Sequence, residues 1–128
     1  MPIAISRDDE RARLTAVASG ELTLAELVAF IKTERAGPLV RYALLFDLRA
    51  ATMNFTQQHV GALADVVGSI KVRFGERAPV AIVASSDPVF GLMRMYQTLC
   101  EIGGVQDIGV FRDLLAAEVW LSTSKRAG

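Results

Sequence analysis

The chain has 128 residues, of which 52% are hydrophobic and 22% are charged, so its composition is that of a globular domain and not of a disordered segment. Fourteen basic residues balance fourteen acidic ones, so no global field is available to hold nucleic acid or an anionic membrane surface. The single cysteine excludes an internal disulfide, and no stretch approaches the roughly 18 uninterrupted apolar residues of a membrane span. We expect one cytoplasmic domain over residues 1–121 and a frayed tail over residues 122–128.

The first part of the chain predicts a hairpin followed by a helix. Residues 3–5 and 14–18 are apolar and flank a charged stretch, which is typical of two antiparallel strands with the first at the edge of a sheet. Thr23 and Glu26 have the spacing of a capping box, in which each side chain satisfies a backbone N–H at the start of a helix. Gly37-Pro38 predicts the end of this helix.

The middle of the chain contains a continuous apolar run over residues 42–48, which predicts a strand buried on both faces. A loop over residues 49–55 is expected to follow. Thr56 then has the position of a helix cap. The next helix is predicted from apolar residues at helical spacing, namely Val60, Leu63, Val67, Ile70 and Phe74.

The last part of the chain repeats this alternation of strand and helix. Residues 79–84 form a second buried strand, and Asp87 is expected to cap a helix with Pro88 at its first position. Residues 108–111 predict a short strand, after which Asp113 caps a final helix. The inward residues of that helix are expected to be Leu114, Ala117, Trp120 and Leu121.

The element order is therefore β-β-α-β-α-β-α-β-α, and strands that alternate with helices predict an α/β fold. We expect a mostly parallel sheet with an antiparallel edge strand and helices packed on it. The predicted core is one buried cluster that contains Leu45, Val67, Ile82, Leu92, Leu99 and Trp120.

Five segments together resemble the SpoIIAA-like, STAS-related domains, and this resemblance covers nearly the whole chain. The segments are residues 20–23, 45–49, 80–84, 90–96 and 110–121. The resemblance implies a SpoIIAA-like fold and a non-catalytic regulatory or protein-interaction domain. Anti-sigma-factor antagonists of this group bind a partner kinase and are switched by phosphorylation at the start of the helix after the central strand.

The chain differs from these antagonists at the switch itself. They carry an Asp-Ser-Ser/Thr-Gly-like sequence there, whereas this chain reads Asn54-Phe55-Thr56. It is more similar to an uncharacterised SpoIIAA-like branch, whose fold is similar to lipid-carrying CRAL-TRIO domains. The alternative function is therefore a carrier or sensor of a small hydrophobic ligand.

Asp47, Thr52 and Thr56 form the candidate switch or ligand region. Asp47 could act as a general base or metal ligand, but no partner for either role is visible around it, which favours a carboxylate that accepts loop N–H bonds. Thr56 could be a phosphoacceptor or only a helix cap, and capping is the commoner role. His59 is expected to be a solvated surface residue. The sequence contains no nucleophile-base pair, metal cluster or phosphate loop, so we expect neither an enzyme nor a cofactor.

The candidate interaction face consists of Phe90, Met93, Met95 and Tyr96, because one side of a helix cannot hide all four. The alternative is ordinary core plus one exposed aromatic residue, since helical spacing predicts a buried stripe of Val89, Leu92, Met93, Tyr96, Leu99 and Cys100. Met-rich and aromatic surfaces adapt to protein partners and apolar ligands. We expect an unidentified protein partner and a homodimer that buries the Phe90 and Met95 side of this helix.

Overall fold

The computed structural model describes residues 3–34, 41–74 and 78–123. Its strands are β1 (Ile3–Asp8), β2 (Arg13–Glu21), β3 (Ala43–Thr52), β4 (Val80–Val83) and β5 (Ile108–Phe111). Its helices are α1 (Leu24–Glu34), α2 (Gln57–Phe74), α3 (Asp87–Ile102) and α4 (Leu114–Thr123). The predicted element order and the α/β class are confirmed.

The five strands form one sheet in the order β1-β2-β3-β4-β5. β1 and β2 are antiparallel, and every other neighbouring pair is parallel. α1, α2 and α3 each connect one parallel strand to its neighbour in the sheet. The three crossovers run in the same direction along the sheet and have the same handedness, so the three helices cover one face. α4 follows β5 and packs on the opposite face.

Two hydrophobic clusters, one on each face of the sheet, replace the single core that the sequence predicted. Val67 and Ile82 lie in the larger cluster beneath α1 to α3, and Leu92 and Leu99 pack against it half-buried. Leu45 lies in the smaller cluster beneath α4, with Trp120 packed against it. Successive side chains of a strand point to opposite faces, so a strand buried on both sides contributes to both clusters.

β3 continues to Thr52, although residues 49–55 were predicted to be a loop. A bulge in the pairing between Val17 and Ser19 shifts the register, and the strand then pairs Ser19 with Ala50 and Glu21 with Thr52. The extra residue lies in β3, where Leu48 and Arg49 stand opposite Ala18 of β2. Asp47 therefore lies inside a strand and not at its end.

The helix starts follow local side-chain chemistry. The N–H of Glu26 donates to Thr23 Oγ1 at 3.2 Å and the N–H of Thr23 donates to Glu26 Oε1 at 2.9 Å, so the predicted capping box is confirmed. α3 is capped by Ser86, whose Oγ accepts from the N–H of Val89 at 3.4 Å. Asp87, predicted as the cap, is the first helical residue. Asp113 caps α4 as predicted, accepting from Ala116 at 2.8 Å.

Some sequence predictions fall beyond these ranges. Gly37-Pro38, predicted to end the first helix, lies outside the described residues, as do the side chain of Phe74 and residues 124–128 of the predicted tail. Residues 122 and 123, also assigned to the tail, belong to α4.

Candidate functional site

Asp47 is buried in β3, and both of its carboxylate oxygens are engaged by Arg49. Arg49 Nη2 lies 2.8 Å from Oδ2, and Arg49 Nε and the Arg49 backbone N–H each donate to Oδ1 at 3.0 Å. Arg49 lies in the bulge of β3, and its side chain turns back onto the Asp47 carboxylate. Asp47 is thus held by N–H donors, and no metal or substrate proton is needed to explain its burial.

The electrostatics of this pair fix Asp47 in its ionised form. Hydrogen bonds from the Arg49 guanidinium hold the pKa of Asp47 below its ordinary value, against the opposing effect of burial. The same hydrogen bonds raise the pKa of Arg49. A general base needs a pKa near the working pH, so an aspartate held in this state is poorly suited to proton transfer.

Thr56 and His59 form a reciprocal cap at the start of α2. Thr56 Oγ1 accepts from the N–H of His59 at 3.3 Å, and the N–H of Thr56 donates to His59 Nδ1 at 3.1 Å. Phe55 packs edge to face against the His59 ring, with 5.7 Å between centroids. His59 is half-buried, and its role was missed because histidine takes the place that Glu or Gln occupies in the usual capping box.

The remaining residue of the candidate region, Thr52, is the last residue of β3. Its carbonyl accepts from the N–H of Leu22 at 2.8 Å, and its side chain is exposed. Thr52 and Thr56 therefore lie near the same end of the sheet, with the Thr56 hydroxyl exposed at a helix N-terminus. That position suits a cap and would also suit a phosphoacceptor.

The four residues of the predicted interaction face do not share one environment. Met93 and Tyr96 are buried in the larger cluster, as their place in the predicted buried stripe indicates, so they do not contribute to an interaction surface. Phe90 and Met95 are half-buried and pack against the same cluster. The Arg112 guanidinium carbon lies 4.2 Å from the centroid of the Phe90 ring, so a cation covers part of this aromatic surface.

Arg112, which follows β5, also bonds to the residues that follow β4. Its Nη1 donates to Asp87 Oδ1 at 2.7 Å and to the carbonyl of Ser85 at 3.4 Å. Asp47 lies inside β3 but pairs with Val83, the last residue of β4, so the pair of Asp47 with Arg49 is level with the carboxyl ends of β4 and β5, where Arg112 and Asp87 meet. The charges there are held in pairs, which does not favour a reaction centre. Among the residues that the structure describes, no three His, Cys, Asp or Glu side chains form a metal site.

The described helices leave small hollows between them. An apolar cavity of about 30 Å³ lies between α1, α2, α3 and the sheet, with Phe30, Leu63 and Tyr96 in its wall. Pockets for small molecules are usually about 300 to 1,000 Å³, so this cavity is too small for a lipid chain. A groove of about 390 Å³ lies open to solvent between α2 and the end of α3.

Two large apolar side chains are exposed on α4, a feature that the sequence prediction did not include. Leu115 is 75% exposed and Val119 is 54% exposed, whereas Ala117 and Leu121 are buried on the inner side. We call Leu115 and Val119 the α4 outer face. The two residues are four positions apart, so they lie on one side of the helix, and this spacing was the signal in the sequence.

Comparison with solved structures identifies the architecture. An uncharacterised protein of the DUF3478 family from Shewanella loihica PV-4, described as having a SpoIIAA-like fold, superposes with a TM-score of 0.54 at 19% sequence identity. The match covers 93% of this chain and 91% of that chain. This chain has a SpoIIAA-like fold. The fold expected from the resemblance is thereby confirmed.

Comparisons of the sequence add nothing to this likeness. No family model matches the chain, and no curated protein matches it. In the ranges that the structure describes, the helices of this SpoIIAA-like domain are too short or too polar to cross a membrane.

Proposed function

We propose that this SpoIIAA-like domain is a non-catalytic regulatory domain that acts by binding another protein through the α4 outer face. The observation that carries the proposal is the exposure of Leu115 and Val119 on a helix whose inner side is also apolar. A helix that is apolar on both sides is usually covered on both sides. The partner surface that best fits such a face is apolar and uncharged.

The paired charges at the carboxyl edge of the sheet support the non-catalytic part of the proposal. Asp47 is neutralised by Arg49, and Asp87 by Arg112. A carrier of a small apolar ligand is a weaker alternative, because the cavity in the core holds only about 30 Å³. The Phe90 and Met95 side of α3 remains a prediction as a second contact surface.

The test is capture of partners from a native lysate by the wild-type protein and by the double variant Leu115→Glu/Val119→Glu. The control is Ile102→Glu, which places a single glutamate at an apolar position that is 78% exposed on α3, and each of Leu115→Glu and Val119→Glu alone matches it in charge. We expect the α4 variants, and not Ile102→Glu, to lose a captured protein. All variants should keep the wild-type denaturation midpoint, since the substituted side chains are exposed. Equal capture by all of these proteins would contradict the proposal.

A further inference from the structure

The two edges of the sheet are protected to different degrees. At β5, which is four residues long, Gln97 of α3 donates to the carbonyl of Ile108 at 2.8 Å and so occupies a group at the edge. β1 is six residues long, and within the described part of the chain it pairs only with β2. Residues 4–8 are all exposed, and the pairing with β2 runs without a bulge.

The direction of the backbone groups of β1 follows from the pairing of β2. The N–H of Ala43 in β3 donates to the carbonyl of Ala12. The backbone N–H and C=O groups of even-numbered residues of β2 therefore point toward β3, and those of odd-numbered residues point toward β1. The partners of Arg13, Thr15 and Val17 in β1 are Asp8, Ser6 and Ala4. The N–H and C=O groups of Ile3, Ile5 and Arg7 therefore point out of the sheet.

Such a row of outward donors and acceptors is a template for another strand, and monomeric proteins usually block it with a bulge, a proline or charges. In β1 only Arg7 and Asp8 are charged, and both lie at one end. The other end carries Ile3, Ala4 and Ile5. Ile5 is 42% exposed although its pairing with Ala16 places it on the face that α1 to α3 cover.

The charges of β1 lie at one end, so a second copy of the same strand can pair with it antiparallel without opposing like charges. In an antiparallel pair about a twofold axis at Ile5, each Arg7 lies opposite Ile3 of the other copy, and the charged ends lie far apart. An axis at Arg7 would instead place two guanidinium groups opposite each other, which destabilises a sheet. With the axis at Ile5, the two copies of Ile5 face each other and Ile3 faces Arg7. These are the residues whose backbone N–H and C=O groups point out of the sheet.

We propose that β1 is a self-association edge, at which two copies pair antiparallel about a twofold axis at Ile5 and form one continuous sheet. Each Ile5 exchanges N–H···O bonds with its counterpart, and so does each Ile3 with the opposite Arg7. The two Ile5 side chains then shield each other from water. This interface is separate from the α4 outer face and does not depend on the proposed function.

The first experiment is sedimentation velocity over a range of protein concentrations, comparing the wild type with Ile5→Pro. Proline at position 5 removes only an N–H that points out of the sheet, a position where edge strands accept proline. We expect the wild type to dimerise and the variant to sediment as a monomer with retained circular dichroism. Leu115→Glu and Phe90→Asp are the controls, and both should remain dimeric. A monomeric wild type at all concentrations, or a dimer that only a control disrupts, would overturn the proposal.

The second experiment tests the register by disulfide cross-linking and does not depend on how well the proline variant folds. Ile5→Cys places two thiols across the axis, where Cα atoms of a paired position lie about 5.5 Å apart. Ser6→Cys is the matched control, because its counterpart lies two residues further along the strand, beyond the roughly 7 Å that a disulfide can span. The native Cys100 is buried, so the wild type serves as the background. Faster cross-linking of Ser6→Cys than of Ile5→Cys would exclude the proposed axis.

Discussion

Arg13 of β2 and Glu118 of α4 form an ion pair that joins the sheet to the helix on its less covered face. Arg13 Nη1 lies 2.7 Å from Glu118 Oε1, and the Arg13 side chain is only 10% exposed, against 41% for Glu118. The arginine thus lies under the helix while its partner reaches water. Removing one member of the pair should therefore change the free energy of unfolding by a different amount from removing the other.

Glu118→Ala should destabilise the protein by about 1 to 2 kcal/mol, because it leaves a buried guanidinium without its charged acceptor. The double variant Arg13→Met/Glu118→Leu should lose less, since it removes both charges and keeps apolar contact. Urea denaturation of the two variants and the wild type measures the difference. If Glu118→Ala matched the wild type in stability, the pair would make no net contribution.

Gly109 of β5 should not tolerate a side chain. A Cβ at this position would lie 2.8 Å from Phe111 Cε2 and 3.2 Å from Trp120 Cε2, because both rings pack over the glycine. Gly109→Ala is expected to cost about 1 to 3 kcal/mol through overpacking. The denaturation midpoint measures this cost, and near-ultraviolet circular dichroism should report a shifted Trp120.

Gly68 of α2 provides the opposite case and a control for Gly109. A Cβ there would meet nothing within 4 Å, and the residue lies inside a helix. Gly68→Ala is therefore expected to stabilise the protein by about 0.5 to 1 kcal/mol, since alanine restricts the unfolded chain more than glycine does. A lower midpoint for this variant would show that the helix needs glycine for a reason outside its local packing.

The sequence predicted most of the fold because the signals for its elements are local. The capping pair Thr23 and Glu26 and the cap Asp113 mark helix starts by their own hydrogen bonds. The extension of β3 to Thr52 was missed because it depends on a bulge within β3 that restores its pairing with β2, a strand much earlier in the chain. Leu44 and Leu45 look alike in sequence, and only the packing of helices on both faces decides which cluster each one joins.

The candidate site was less predictable because its contacts join distant parts of the chain. The contact of Arg49 with Asp47 is local in sequence, but it forms at a bulge of β3 that the residue pattern does not reveal. Arg13 and Glu118, separated by 105 positions, carry no such local signal. The burial of Met93 and Tyr96, by contrast, follows from helical spacing, which places both on the inner stripe of α3.

The ion pair of Asp47 and Arg49 should make stability depend on pH in acid. The pKa of Asp47 is lower in the folded state than in the unfolded state. The ionised carboxylate therefore stabilises the folded protein above the ordinary aspartate pKa of about 3.9, and this stabilisation is lost as the pH falls through the pKa of the folded state. Asp47→Asn should therefore be less stable than the wild type at pH 7, and the difference should shrink below about pH 4. Urea denaturation across this range measures it. Arg49→Met, which removes the cause of the shift, should reproduce the effect, and a difference that grew in acid would contradict this assignment.

Thr56 should behave as a helix cap. Thr56→Ala removes the oxygen that accepts the His59 N–H and should cost roughly 1 kcal/mol, whereas Thr56→Asp keeps an acceptor and adds a charge that the helix N-terminus favours, so it should be close to neutral. Both variants should bind a partner captured by the wild type equally well. Thermal denaturation measures the first effect and capture from a native lysate the second, with Thr56→Ser as the control that keeps the hydroxyl. A partner lost only by Thr56→Asp would instead indicate that Thr56 is a phosphorylation switch, because aspartate partly mimics phosphate at this position.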